Sequence, residues 1–138
     1  MGHEYLVIKL GYIKGIDFYE EHIKVIEECG YVDVARVGKR YLNFSSLNEP
    51  YFYIKESLKG GNRIFKAYIV KELSGKRCVP DYYSTLDLTH ASWVRINKLE
   101  VIDRNKFLDE HTLKNGKEIK ALNQGAVPFF YVIKAKKK

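Results

Sequence analysis

Long apolar runs are missing from this sequence, and so are most residues that do chemistry. The longest apolar stretch, around Val127–Ile133, has strand length and falls short of the roughly 20 residues a membrane helix needs. There are only two cysteines, Cys29 and Cys78. They form no Cys-x-x-Cys pair, and two thiols do not make a disulfide framework, so they are expected to be ordinary, reduced, half-buried thiols. The three prolines, Pro50, Pro80 and Pro128, are scattered, and no Pro-, Gly- or Ser-rich run marks a linker. The 138 residues therefore read as one domain with room for one core. Neither a basic n-region nor a small-residue cleavage site precedes Tyr5, which predicts a cytoplasmic protein without a membrane partner.

Catalytic signatures are missing too. The glycines at 11, 15, 60 and 61 lack the Gly-Lys-Ser/Thr ending that holds phosphate and metal. The sequence contains no Gly-x-Ser-x-Gly elbow and no His-x-Glu followed by Cys-x-x-Cys. His22, His90 and His111 stand far apart; His22, on a predicted helix, reads as a core or surface residue. The chain is expected to be no enzyme, with no cofactor and no metal.

What remains is charge and rings. Lysine and arginine number 24 against 17 acidic residues, a formal charge of +7. The excess is spread over Lys39-Arg40, Lys59–Arg63, Lys76-Arg77, Lys114–Lys120 and the tail Lys134–Lys138. Such a surface favours phosphates, although Lys/Glu enrichment for solubility gives a similar composition. Eleven tyrosines, seven phenylalanines and Trp93 are interleaved with these cations, as stacked bases with phosphates alongside would require. Aromatics are also strand formers and core residues, and both readings stay open.

Periodicity predicts an α+β order. Tyr5–Tyr12 reads as a central strand and Ile16–Cys29 as a helix, with Ile16, Tyr19, Ile23 and Ile26 on one face. Asp17 with Glu20 resembles a capping box, and Gly30 is a natural stop. Tyr31–Val37 is a short strand. Asp33 within it either faces out or accepts a hydrogen bond in a pocket. Residues Gly38–Pro50 look irregular; Tyr51–Glu56 and Arg63–Leu73 form a hairpin around Gly60-Gly61-Asn62. Ser74–Ala91 is a long loop. Trp93–Ile102 is a strand, with Val94 and Ile96 on one face and Trp93 and Arg95 on the other. Asp103 caps a helix over Arg104–Leu113 that ends near Gly116, and Ala126–Ala135 closes the chain as a strand whose Pro128 sits at an edge or bulge.

This succession, with Phe52-Tyr53-Ile54 and Ala67-Tyr68-Ile69-Val70 in the hairpin, Ser92-Trp93-Val94-Arg95-Ile96 as a Trp-opened strand, and Lys117-Glu118-Ile119 leading to Val127-Pro128-Phe129-Phe130, resembles the PUA-like superfamily of EVE, YTH and ASCH domains. The resemblance spans almost the whole chain as an order of elements. The opening Lys9-Leu10-Gly11-Tyr12 departs from the EVE pattern, which has an early Trp. It implies a mixed pseudobarrel of five to six strands with two or more flanking helices, spanning residues 1–138 as one domain, excised or not from a longer protein. It further implies a DNA- or RNA-binding domain that takes a modified or flipped base into an aromatic pocket with a basic rim. The pocket walls would be Tyr12, Tyr41, Tyr82 and Trp93; Asp33 and Asn43 would read base edges; Arg36, Lys39, Arg40, Lys76, Arg77 and Arg95 would hold phosphates. Similar domains precede McrB-type, modification-dependent restriction GTPases, so an AAA+ GTPase domain and a nuclease subunit are the implied partners. The richness in Lys, Ile, Tyr and Glu has an archaeal cast that suits such a fragment. A small-molecule-binding or enzymatic PUA/ASCH-like domain and a protein-interaction module are the alternatives.

Overall fold

A computed structural model describes residues 4–37, 42–47, 49–57, 59–72, 74–113, 119 and 129–134, with backbone alone at 129 and 130. Its elements in chain order are β1 (Glu4–Leu10), α1 (Phe18–Cys29), β2 (Val32–Arg36), β3 (Tyr51–Glu56), β4 (Ile64–Ile69), β5 (Ser92–Ile102), α2 (Arg104–Glu110), β6 (His111–Leu113) and β7 (Phe129–Lys134). Short 3-10 turns lie at Phe44–Ser46 and Asp81–Thr85. The protein is α+β: the described residues form one mixed seven-stranded sheet in the order β2-β5-β4-β3-β1-β7-β6, with two α-helices. Only β1 and β3 run parallel among the described pairs.

β1 is apolar on both faces because both are covered. Leu6 and Ile8 join a core of Phe18, Phe52, Phe65 and Ile96, while Tyr5 and Val7 join a second one with Tyr53, Ile64 and Phe107. α1 crosses the first face. Asp17 accepts a hydrogen bond from the Glu20 amide at 3.1 Å, and Gly30 takes φ +87° while its amide donates to Ile26 O at 2.7 Å, so both expected caps are present. The buried stripe is Phe18, His22 and Val25 rather than the expected Ile16, Tyr19, Ile23 and Ile26. Ile16 precedes the cap, and the other three pack at the flanks of the stripe.

The hairpin forms as expected, antiparallel, with Phe52 opposite Ala67 and Ile54 opposite Phe65. Gly61 (φ +127°) and Asn62 (φ +62°) supply the positive φ angles of its turn. β4 stops at Ile69, short of Leu73: the register slips between Tyr68 and Ile69, and the Val70 amide bonds Arg95 O at 2.9 Å.

Two expectations need correction. The second helix ends at Glu110, not Leu113. His111 is extended and pairs with Lys134, while its ring stacks on Phe107 at 4.4 Å, so strand pairing and ring packing override helical propensity there. This makes β6 a seventh strand where five or six were expected. Among the described residues the sheet is also not closed toward a barrel: its edge strands β2 and β6 lie at opposite ends of the strand order. The expected helix stop at Gly116 and the expected strand start at Pro128 lie outside the described residues.

Candidate nucleic-acid interface

Where β1 ends, the chain turns out over the sheet through Gly11, Tyr12 and Ile13. Val34, Phe52, Ile54 and Val94, from three other strands, form an apolar floor beneath it. Phe44 and Tyr82, each on a 3-10 turn, form side walls. Together they enclose a cleft of about 440 Å³ with a mostly apolar lining. It lies beside the end of β1, the 42–47 turn and the start of β5. The exposed large apolar side chains of the described residues are Tyr12 (48%), Ile13 (41%), Val37 (58%) and Val101. The first three line this one cleft. Exposed apolar residues gathered at a concave site mark a binding surface, whereas scattered ones need no explanation.

Tyr12, Arg36 and Tyr82 thus line one cleft, but Arg36, expected to hold phosphate, is buried at 7% exposure. Burial, with Glu21's charge nearby, pushes the Tyr82 hydroxyl far above its usual value, so it stays a neutral phenol. Its ring meets Tyr83 edge-on at 5.0 Å and His22 at 6.1 Å, which fixes its orientation.

Behind this wall lies a buried polar chain. The Ala35 amide donates to the Tyr83 hydroxyl at 3.3 Å, and that hydroxyl pairs with His22 Nε2 at 2.6 Å. His22 Nδ1 donates to Phe18 O at 2.8 Å. Burial pushes His22 down to about 4, so the ring is neutral.

The remaining candidates sit elsewhere. Trp93 and Asn43 line a neighbouring cleft of about 450 Å³, separated from the first by Phe44 and Val94, which line both. Val94 borders both clefts, whereas Trp93 and Arg95, its neighbours on β5, line only the second. Arg77 stacks on the Trp93 ring, its guanidinium carbon 3.9 Å from the ring centroid. Asn43 caps its own turn, accepting from the Ser45 amide at 3.1 Å and the Ser45 hydroxyl at 2.6 Å.

Asp33 and Arg95 are buried together. Arg95 Nε meets Asp33 Oδ1 at 2.8 Å, and Asp33 Oδ2 accepts from the Cys78 amide at 2.9 Å. Neither can read a base edge or hold a phosphate without leaving the other. Lys76 and Arg77 are exposed on the segment this pair fastens. Lys39, Arg40 and Tyr41 lie outside the described residues.

Sequence reasoning missed Phe44, Val94, Ile13 and Val37 as cleft residues. Each reads as ordinary core or loop in sequence, and only the fold assembles them. Among the described residues, no three His, Cys, Asp or Glu side chains gather into a metal site, and no helix is long and apolar enough to cross a membrane.

Comparison with protein-family models, with curated proteins and with solved structures returned no match.

Proposed function

We propose that this domain binds nucleic acid and takes one unstacked base into the cleft between Tyr12 and Tyr82. The observation that carries this reading is the gathering of Tyr12, Ile13 and Val37, exposed, around one apolar cleft in a protein of charge +7. A cleft of about 440 Å³ is within the usual range of about 300–1,000 Å³ for small-ligand sites. Extracting a base costs a few kcal/mol, and each stacked aromatic returns about 1–3 kcal/mol. Tyr12 and Tyr82 with the Phe44 ring therefore suffice where a single wall would barely do. Lys76 and Arg77, exposed on the 74–78 segment, supply phosphate contacts, while Arg36 lines the cleft from a buried position. The order of elements supports a PUA-like reader of modified or flipped bases. In that reading, motor and nuclease activities belong to AAA+ and nuclease partners.

The test is fluorescence anisotropy against single- and double-stranded DNA and RNA, with and without modified bases, at several salt concentrations. Binding that weakens as salt rises and prefers one base or modification supports the proposal. No binding at low salt overturns it. The apolar lining of the cleft also favours a second reading, a planar small molecule as ligand; free nucleosides in the same panel would bind without salt dependence in that case.

A further inference from the structure

Cys29 and Cys78 are far apart in sequence, yet both line one small pocket of about 280 Å³ between the end of α1 and the 76–79 segment. Both thiols are free, Cys29 exposed and Cys78 buried. The fold holds both backbones. Cys29 closes α1 just before the left-handed Gly30 cap. Cys78 is clamped to the edge of β2: the Asp33 amide donates to its carbonyl at 2.7 Å, and its own amide donates to Asp33 Oδ2 at 2.9 Å. Tyr31 reinforces the clamp from the next turn of chain, its hydroxyl donating to Lys76 O at 2.5 Å.

We propose that Cys29 and Cys78 form a disulfide on exposure to a peroxide, stapling the C-terminus of α1 to the segment that carries Lys76 and Arg77. The pocket is separate from the base cleft, and the bridge does not depend on the nucleic-acid reading.

The thiol of Cys78 is the first neighbour that the Cys29 thiol feels; as a hydrogen-bond partner it holds Cys29 above the usual thiol value. The Tyr31 hydroxyl, raised by burial and then by the same Cys78 thiol, bonds Lys76 O, and Lys76 lines the pocket with both cysteines. Cys29, being exposed, reacts first. Its thiolate attacks the peroxide O–O bond, giving a sulfenic acid and one water. The Cys78 thiolate then attacks the Cys29 sulfur, the S–O bond breaks, and hydroxide leaves and is protonated to a second water. Two thiols give up two electrons to one peroxide, and the protons end in water. The bridge would close a loop of roughly fifty residues, long enough to constrain the unfolded chain strongly.

The experiment treats the full chain with hydrogen peroxide near thiol stoichiometry, blocks remaining thiols, and maps non-reduced peptides by mass spectrometry. The expected result is a monomer in which the Cys29 peptide is joined to the Cys78 peptide, with two hydrogens lost, reversed by dithiothreitol. The oxidised form should melt higher and exchange the amides of residues 74–79 more slowly. Cys29→Ser, at an exposed position that leaves the fold unchanged by circular dichroism, should give no cross-link and leave Cys78 reduced. Oxidation of Cys29 alone to sulfinic acid, dimers linked through Cys29 with Cys78 still a thiol, or no oxidation under conditions that oxidise a model cysteine peptide would each overturn the proposal.

Discussion

Arg95 grips Asp33 across the β5–β2 pair with two nitrogens, Nε to Oδ1 at 2.8 Å and Nη2 to Oδ2 at 3.3 Å. Both side chains are more than nine-tenths buried. Arg95 Nη1 reaches on to Ser74 O at 2.7 Å, and its guanidinium lies 3.9 Å from the Tyr31 ring centroid. The pair therefore works as a fastener. It ties the segment from Ser74 to Cys78 to the sheet edge, and that segment carries both Lys76 and Arg77.

Removing one partner leaves the other charged, buried and unpaired, the expensive way to break such a pair. Asp33→Ala should destabilise well beyond the roughly 0.5 kcal/mol typical of surface substitutions. Urea denaturation reads this directly. Preference among bases should not change in whatever folded fraction remains. A variant as stable as the parent but altered in base preference would return Asp33 to the role of a base reader.

Cleft residues should behave in the opposite way. Tyr12 is 48% exposed, so Tyr12→Ala removes little burial and should leave the melting temperature nearly unchanged. If a base stacks there, affinity for the preferred oligonucleotide should fall by about 1–3 kcal/mol, roughly five- to 150-fold. Weak, salt-sensitive binding to other sequences should survive. Tyr82→Ala should cost affinity and stability together, since Tyr82 also packs on Tyr83 and His22. Anisotropy and thermal melts on the same samples separate the two effects. Equal losses for every oligonucleotide from Tyr12→Ala would place the base elsewhere.

Lys76→Glu and Arg77→Glu test the role of these cations toward phosphate. Both side chains are exposed, so the fold should tolerate the changes. Binding should weaken alike for all sequences, and the log–log salt slope should become shallower by about one for each phosphate that is no longer neutralised. Arg77→Glu also uncovers the Trp93 ring, which should brighten or shift tryptophan fluorescence without any ligand. An unchanged slope in both variants would remove this segment from the interface.

What the sequence makes legible is local. Asp17 and Gly30 announce the ends of α1, and the Gly60–Asn62 run announces the hairpin turn, because capping and positive φ depend on a few neighbouring atoms. Residues whose roles depend on remote partners are harder to read. Lys55 alternates like an outward strand residue, yet it is buried and donates to Asn62 Oδ1 at 2.6 Å and to Glu56 O. His111 lies in a helical pattern but is drawn into β6 by Lys134 and Phe107. Trp93 and Val94 are adjacent in sequence, yet Val94 lines both clefts and Trp93 only the second. Asp33 fits, in sequence, either an outward carboxylate or a pocket acceptor. Its partner, Arg95, is on another strand, and no local pattern links the two.

The pH dependence of stability should report His22. Its ring is fully buried, bonded at Nδ1 to Phe18 O and at Nε2 to the Tyr83 hydroxyl, and stacked 3.9 Å from the Phe18 ring. Burial lowers its pKa from 6.5 to about 4 in the folded protein. The unfolded chain therefore binds a proton below about pH 6.5 that the folded protein refuses until about pH 4. Stability contributed by neutral His22 is present above pH 6.5, falls as pH drops from 6.5 to 4, and changes no further below that. At about 1.4 kcal/mol per pH unit, the loss between pH 7 and pH 5 is about 2 kcal/mol. His111 is also held low by burial and adds to the loss in the same direction. Urea denaturation at pH 7, 6 and 5 measures the slope in the parent and in His22→Gln. The variant will be less stable at pH 7, because glutamine cannot reproduce both hydrogen bonds, but it should lose less on going to pH 5. The difference between the two slopes, not either stability alone, isolates His22 from the carboxylates that titrate nearby. Parallel slopes would mean that the ring is protonated in the folded state, and the neutral chain from Ala35 through Tyr83 to His22 would have to be redrawn.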